Sequence, residues 1–262
     1  MSRPPSSYGM RARLGLIVPP TNTVNEAEWS LMLGPPTAVS VHVTRMALHT
    51  DVASEVGRAA LHSDLEKAVR DLAAATPDVI AYGCTAGSLV SPLDGLTELM
   101  RGFVGIPCVA TAAALVNAAR ALGLRRVVVA TPYGDVLNRH ESDYLESHGL
   151  EVSNIQGLGI GAGGPHEYVR IARLSEAEVM AHCVATWRDD ADGMIVSCTD
   201  LPTLRLLPKL EELFGKPVIS SNLATLWHAL LRAGIPQSEL AGRGAGLLDL
   251  RQGPLRLQHA PR

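Results

Sequence analysis

Two cysteines of the sequence occupy matching contexts that could support chemistry. Cys84 closes the segment Pro77-Asp-Val-Ile-Ala-Tyr-Gly-Cys, and Cys198 closes the segment Ala191-Asp-Gly-Met-Ile-Val-Ser-Cys. Each thiol follows a short apolar run, which is typical of a buried strand, and precedes a threonine. Ligands of parallel sheets bind in loops beyond the carboxyl ends of the strands. A helix beginning after each cysteine would lower the thiol pKa, because its N-terminal amides stabilise an anion.

Two thiols that face each other could act on opposite faces of one small molecule. They could move a proton, or form and break a covalent bond. The alternative is that both are buried structural cysteines, which are common. Two cysteines at matching positions of the sequence favour a functional role instead. Cys108 lies within an apolar strand pattern and Cys183 within a helical pattern, so we predict that both are inert.

The two cysteines, 114 positions apart, belong to an internal repeat. Three pairs of segments match in the same order and at nearly the same offset, which is the sign of a duplicated unit. The pairs are 13–20 with 126–133, 77–85 with 191–199, and 105–110 with 215–220.

Each half of the repeat alternates apolar strand patterns with helical patterns. We therefore expect an α/β protein of two similar lobes, each a parallel sheet flanked by helices, related by a pseudo-twofold axis with the active site between them. The predicted strands are 13–18, 38–46, 78–82, 107–110, 126–130, 150–155, 193–197 and 217–220. The predicted helices are 55–75, 111–122, 135–148, 175–189, 202–213 and 222–233. The predicted domains are a flexible arm (1–11), an N-terminal lobe (12–123), a C-terminal lobe (124–235) and a C-terminal extension (236–262).

Composition excludes several classes of function. Hydrophobic residues make up 47% and aromatic residues 4% of the 262 residues, so Ala, Val, Leu and Ile must build the core. The net charge of −3 and the absence of a basic block argue against a nucleic-acid partner. No apolar run is long enough to span a membrane. Residues 1–8 lack the apolar core of a signal peptide, so we expect a cytoplasmic protein with reduced thiols.

The cysteine motifs resemble those of a known superfamily. Gly83-Cys-Thr-Ala-Gly-Ser88 and Ser197-Cys-Thr-Asp-Leu-Pro202 are similar to the paired cysteine motifs of the aspartate/glutamate racemase superfamily. Within it, Ile17-Val-Pro-Pro-Thr-Asn-Thr23 resembles the opening motif of maleate cis–trans isomerases. Thr131-Pro-Tyr133, followed by Asn138 and Tyr144-Leu-Glu146, is similar to that group as well. The resemblance covers residues 12–235.

The resemblance implies a cofactor-independent isomerase of a small unsaturated dicarboxylate or a related acid. It assigns Cys84 as the nucleophile that attacks the double bond, and Cys198 as the acid/base after rotation about the resulting single bond. Asn22 and Tyr133 would bind the carboxylates of the substrate. Further hydroxyl or backbone donors would come from Thr85, Ser88 and Thr199.

One stretch departs from the maleate isomerase pattern. That group carries a further substrate-binding Asn shortly before an Ala-Arg pair, and Tyr168 lies near that position here, after a glycine-rich loop at 157–164. A larger acid, or one with a carboxylate replaced, is therefore a candidate substrate. The loop contains G-x-G-x-x-G, but Pro165 follows where a dinucleotide site needs a helix. We predict a mobile lid over the cleft or an inert loop.

Three polar residues near the motifs have structural interpretations. We interpret His49 as a surface histidine, although it follows the strand 38–46 and could reach the cleft. Asp200 is interpreted as a helix cap, although it could orient a substrate amine. Arg45 could pair with a carboxylate of the substrate or form a structural ion pair.

Other functions share these residues. An amino-acid racemase would use the same thiols for proton transfer, and a small-acid-binding protein or an ectoine-utilisation-related protein would keep the pocket. Arylmalonate decarboxylases share the fold but use only one such cysteine. We find no motif for a metal, nicotinamide, flavin or pyridoxal phosphate, and therefore predict no cofactor. The predicted partners are a small carboxylic acid and further copies of the chain, as a dimer or a dimer of dimers.

Overall fold

Two parallel four-stranded sheets organise the computed structural model, which describes residues 7–49, 54–90 and 92–240. The strand order is β2-β1-β3-β4 in the first sheet and β6-β5-β7-β8 in the second, so the second sheet repeats the topology of the first. The strands are β1 (Ala12–Val18), β2 (Val39–Arg45), β3 (Val79–Tyr82), β4 (Cys108–Ala110), β5 (Arg126–Tyr133), β6 (Glu151–Ile160), β7 (Gly193–Val196) and β8 (Val218–Ser220).

Helices flank both sheets, as the alternating pattern predicts. They are α1 (Asn25–Leu33), α2 (Glu55–Ala73), α3 (Gly95–Val104), α4 (Thr111–Ala121), α5 (Asp135–Ser147), α6 (Glu176–Thr186), α7 (Leu207–Phe214), α8 (Ser221–Arg232) and α9 (Gln237–Leu240). Two 3₁₀ helices, Ala86–Ser88 and Pro165–Arg173, follow Cys84 and the glycine-rich segment. Within the described part of the chain, no helix is both long and apolar enough to cross a membrane.

The predicted fold class and all eight predicted strands are confirmed. The central strands β3 and β7 are buried at every position, which explains their unbroken apolar sequences. β6 is longer than predicted and runs on to Ile160, so half of the glycine-rich segment is strand. The predicted helix 202–213 begins only at Leu207, because the amides of the preceding turn bind a carboxylate of the other half of the chain, described below.

The two halves meet through helices that occupy equivalent places in the repeat. α4 and α8 pack against each other, and Thr225 Oγ1 donates to Thr111 Oγ1 at 3.1 Å. Small side chains such as Ala112 and Ala224 are fully buried and let the helices approach closely. One hydrophobic cluster therefore runs through both halves, and the expected pairing of two similar units has a continuous core.

A buried carboxylate also joins the halves. Glu28 of α1 accepts hydrogen bonds from the amides of Thr203 at 2.6 Å and Leu204 at 2.7 Å, and from Asn222 Nδ2 at 2.7 Å. Next to it, Trp29 Nε1 donates to the Asn222 carbonyl at 3.1 Å. α1 was absent from the sequence prediction because its buried face carries polar groups, which hides the apolar periodicity.

The described part of the predicted arm is attached to the rest of the molecule. The amide of Gly9 donates to the Pro36 carbonyl at 2.8 Å, and the Arg11 guanidinium forms an ion pair with Glu239. Residues 1–6, and the part of the predicted C-terminal extension from 241 to 262, lie outside the described residues. The domain boundaries stay a prediction.

Candidate active site

A cavity of about 810 Å³ lies at the carboxyl ends of the central strands of both sheets. Both cysteines reach it from equivalent places, Cys84 two residues after β3 and Cys198 two residues after β7. Six of the seven predicted site residues line this cavity: Asn22, Cys84, Thr85, Tyr133, Cys198 and Thr199. The fold therefore brings the two cysteines of the repeat together with four of the residues that the resemblance assigns.

The Cys84 thiol is buried and surrounded by hydrogen-bond donors. The amide of Gly87 donates to its Sγ at 3.4 Å, and the Tyr82 hydroxyl also bonds the sulfur. A Cβ at Gly87 would collide with that hydroxyl, so glycine is required here. Burial nevertheless raises the pKa of Cys84 and outweighs both donors. The predicted lowering of this pKa by a helix N-terminus is wrong, because only a three-residue 3₁₀ helix follows.

Cys198 combines a strained backbone with a protonated thiol. Its φ of 103° lies in the left-handed region, which costs a non-glycine residue about 1–3 kcal/mol. The amide of Cys198 donates to Ser221 Oγ at 3.0 Å, which helps hold this conformation. The Tyr133 hydroxyl bonds the sulfur, but burial dominates and raises the pKa of Cys198 to about 12. At neutral pH the Cys198 thiol therefore keeps its proton.

The two threonines after the cysteines connect the halves of the molecule. Thr199 Oγ1 donates to the Gly83 carbonyl at 3.0 Å, and Thr85 Oγ1 lies 2.9 Å from Ser221 Oγ. Both hydroxyls thus bind protein groups across the cavity and fix the register of the two thiols. Ser221 carried no sequence signal, since it is one serine at the start of an apolar helix.

Ser88 was predicted to offer a hydrogen-bond donor to the substrate, but in the structure its hydroxyl binds backbone groups of the protein. Its hydroxyl donates to the Cys84 carbonyl at 2.6 Å and accepts from the Ala112 amide at 2.9 Å. Ser88 is not among the residues that line the cavity. Its hydroxyl shapes the loop that carries Cys84, rather than pointing a donor at a ligand.

Asn22 holds its side chain through three hydrogen bonds. Its Oδ1 accepts from the amides of Val24 and Asn25 at 3.1 and 3.0 Å, and its Nδ2 donates to Thr199 Oγ1 at 3.0 Å. Asn22 lines the cavity, so the second N–H of this amide is a candidate donor to a ligand. Arg45 Nη1 donates to the Asn22 carbonyl at 2.6 Å, so this arginine supports the Asn22 loop.

Tyr168 and His49 also line the cavity. The Tyr168 ring packs on Gly161, where a Cβ would come within 2.5 Å of it, and Glu167 accepts from the Gly161 amide at 2.7 Å. These contacts order the turn after β6, and whether it moves as a lid stays a prediction. His49 binds Asp64 at 3.0 Å with a side chain only 12% exposed, so its interpretation as a surface histidine is wrong.

Glu141 of α5 is a carboxyl group buried behind the site. It is fully buried, and neither carboxylate oxygen has a hydrogen-bond partner among the described residues. Burial raises its pKa to about 7, an effect that the neighbouring Ser197 hydroxyl reduces. The carboxylate charge raises the pKa of Tyr133 as well, although burial of that phenol contributes more.

Replacing Glu141 by Gln is expected to make the protein more stable at pH 8 than the wild type. The pKa of Glu141 is higher in the folded than in the unfolded state. The free energy of unfolding that its protonated carboxyl contributes is therefore fully present below the unfolded pKa. That free energy is lost as the pH rises toward about 7. The difference at pH 8 should be about 3 kcal/mol. Urea unfolding at pH 5 and pH 8 measures it, and parallel pH profiles of the two proteins would contradict the assignment.

Among the described residues, no group of three His, Cys, Asp or Glu side chains is placed to hold a metal ion.

The model of a family described as arylmalonate decarboxylase matches residues 14–246. The chain belongs to the arylmalonate decarboxylase family. This family includes the isomerases that the cysteine motifs resemble, which confirms the resemblance seen in the sequence.

Several relatives in this family are maleate isomerases. The enzyme of Nocardia farcinica (strain IFM 10152) is 32% identical over 92% of this chain and 96% of its own length. Arylmalonate decarboxylase of Bordetella bronchiseptica is 36% identical, over 53% of this chain and 57% of its own.

Solved structures agree with these relatives. The maleate isomerase Iso of Pseudomonas putida S16 superposes with a TM-score of 0.77 at 26% identity, over 86% of this chain and 94% of its own. A Cys-to-Ser mutant of the Nocardia farcinica maleate cis–trans isomerase has a TM-score of 0.77 at 28% identity, over 87% and 94% of the two chains. Its structure contains a covalently bound succinylcysteine intermediate.

Proposed function

We propose that this protein is a cofactor-independent cis–trans isomerase of a small unsaturated dicarboxylate or a related acid. Cys84 is the nucleophile, Cys198 the acid/base, and Asn22 and Tyr133 hold the acid. The observation that carries the proposal is the arrival of two buried thiols from equivalent strand ends in one cavity. The succinylcysteine intermediate of the Nocardia farcinica relative supports covalent chemistry at a cysteine in this fold.

The proposed reaction uses the two thiols in sequence. The Cys84 thiolate adds to one alkene carbon, and the electron pair of the double bond takes a proton from the Cys198 thiol at the other carbon. Rotation about the new single bond follows. The Cys198 thiolate then removes that proton, the double bond re-forms, and the C–S bond breaks to return the Cys84 thiolate. Atoms and charges balance without a cofactor.

The surroundings of each sulfur suit its proposed role. Cys84 receives donors from Gly87 and Tyr82, which stabilise the thiolate once it forms. Cys198 has a pKa raised to about 12, mainly by burial, which suits a group that must donate a proton. Because burial also raises the pKa of Cys84, the rate should rise with pH as the reactive thiolate becomes populated.

Alkylation separates the two thiols experimentally. At pH 7.5 iodoacetamide is expected to modify Cys84 at least about tenfold faster than Cys198, because the thiolate is the reactive form. Substrate should protect Cys84. Peptide mass spectrometry after timed quenching measures both rates. Faster modification of Cys198 would exchange the two roles.

A racemase would use the same cavity, and solvent deuterium distinguishes it. Incubation of a panel of small acids in deuterated water, followed by NMR, reports both double-bond geometry and exchange at the α-carbon. We expect cis–trans conversion of an unsaturated acid that survives exhaustive chelation and dialysis. Deuterium at the α-carbon of a saturated amino acid, without any such conversion, would favour the racemase.

The proposal extends to assembly and location. We propose a homo-oligomer, a dimer or a dimer of dimers, in the cytoplasm. Exposed apolar side chains on three helices, Leu31, Val184 and Leu213, support contacts between copies. Sedimentation velocity at micromolar concentration tests the assembly, and a monomer throughout would contradict it.

A further inference from the structure

Asp200, two residues after Cys198, is a charged group inside the cavity with half of its carboxylate unused. Its residue is only 6% exposed, and it lines the cavity. One oxygen, Oδ1, accepts from the Thr23 amide at 2.9 Å, at the start of α1. The other, Oδ2, is buried and has no hydrogen-bond partner among the described residues. Thr23 precedes α1, whose N-cap residue Val24 has no side-chain hydrogen bond, so the predicted helix-capping role of Asp200 is not observed.

A buried carboxylate oxygen without a donor is costly, and such orphans mark places where a ligand or a water binds. Burial raises the pKa of Asp200 to about 6, while the amides of Thr23 and Val24 and the charge of Arg45 favour its ionised form. At pH 8 it is a carboxylate. Burial is the main cause of the raised pKa values of Cys84 and Cys198, and the charge of Asp200 raises both further.

The Asp200 carboxylate disfavours a second carboxylate placed directly beside it. Asp135 adds another acidic side chain to the lining. Of the lining groups that can be cationic, His49 binds Asp64. His140 lies on α5, the helix that carries Asp135. A substrate carboxylate beside Asp200 would be repelled by a like charge, whereas an N–H group of the substrate would donate the hydrogen bond that Oδ2 lacks.

We propose that the substrate carries one carboxylate and, at the other end of its double bond, a primary amide whose N–H is accepted by Asp200 Oδ2. This inference rests on the proposed function, because it names the substrate of the same site. A primary amide supplies the missing donor and is uncharged. Its carbonyl still conjugates with the double bond, so that Cys84 can add. The substrate class is the half-amide of a cis-unsaturated diacid.

The test compares two isosteric compounds, cis-butenedioate and its monoamide, with the wild-type protein at pH 8. We expect the monoamide to have at least about tenfold higher kcat/KM, and a Kd lower by a similar factor in calorimetry. Asp200→Asn should reduce both ratios to about one or invert them, because its amide can donate to a carboxylate. The side-chain oxygen of Asn can still accept the hydrogen bond from the Thr23 amide. Lowering the pH to 5.5 should reduce the preference of the wild-type protein for the monoamide, because Asp200 becomes partly protonated.

Asp143→Asn is the matched control, since it removes the same charge from an exposed position of α5 that does not line the cavity. It should leave the monoamide preference unchanged. Equal or better binding of cis-butenedioate by the wild type would overturn the inference, as would a preference that Asp200→Asn does not alter. If neither compound is isomerised and Cys84 forms no adduct, the proposed function fails, while the Kd ratio still decides the role of Asp200.

Discussion

Cys84→Ala is expected to reduce kcat/KM by at least about 10⁴-fold, the largest effect of any single substitution in this protein. Without the sulfur no covalent bond to the substrate can form, and the remaining donors of the cavity can only bind the acid. Cys84→Ser should be nearly as inactive, because an alcohol ionises far less readily than a thiol. Initial rates by NMR or ultraviolet absorbance measure the loss.

Cys108→Ala is the matched control for that experiment. Cys108 is a buried cysteine of β4 whose thiol donates to the Ile106 carbonyl at 3.3 Å, and it does not line the cavity. Burial raises its pKa to about 12. This variant should keep activity within about twofold at a cost of about 1 kcal/mol in stability. Activity that survives in Cys84→Ala but disappears in Cys108→Ala would overturn the assignment of the nucleophile.

Glu28→Ala is expected to lower the free energy of unfolding by about 3–5 kcal/mol, the largest effect on stability that we predict. The substitution leaves the amides of Thr203 and Leu204 and the side chain of Asn222 without their acceptor in a buried place. Activity should also fall, because α1 follows the loop that carries Asn22. Urea unfolding followed by circular dichroism measures the change.

Glu26→Ala provides the comparison on the same helix. Glu26 is exposed, and its ion pair with Arg45 spans 4.0 Å, so its loss should change stability by less than about 0.5 kcal/mol. Equal effects of the two substitutions would show that helix propensity, rather than the contact between the two halves, explains the loss. Glu28→Gln should be intermediate, since its amide oxygen can still accept one hydrogen bond.

Much of the architecture could be predicted from the sequence because its signals are local. Unbroken apolar runs mark strands buried on both faces, as in β3 and β7, and the duplicated motifs placed both cysteines at equivalent strand ends. α1 and α3 were missed for different reasons. The buried face of α1 carries Asn25 and Glu28, whose partners lie far away in sequence, while α3 is short and has no side-chain cap at Asp94.

The chemistry of the site was harder to predict, since it depends on contacts between the two halves. Nothing in the sequence shows that Thr199 binds the Gly83 carbonyl, or that Ser221 serves both cysteine loops. The pKa of the Cys84 thiol was predicted in the wrong direction, because burial is a property of the folded site and outweighs the local donors. The sequence likewise does not show that one oxygen of Asp200 binds the Thr23 amide while the other has no hydrogen-bond partner among the described residues.

Mass spectrometry of Cys198→Ala protein incubated with substrate tests the covalent mechanism most directly. Removing the acid/base should slow turnover but leave the nucleophile able to add. The proposal predicts an adduct with the mass of the acid on the peptide that contains Cys84, and none on peptides containing Cys108 or Cys183. Cis–trans conversion by the wild-type protein with no adduct at any stage, or an adduct found on Cys198 instead, would contradict it.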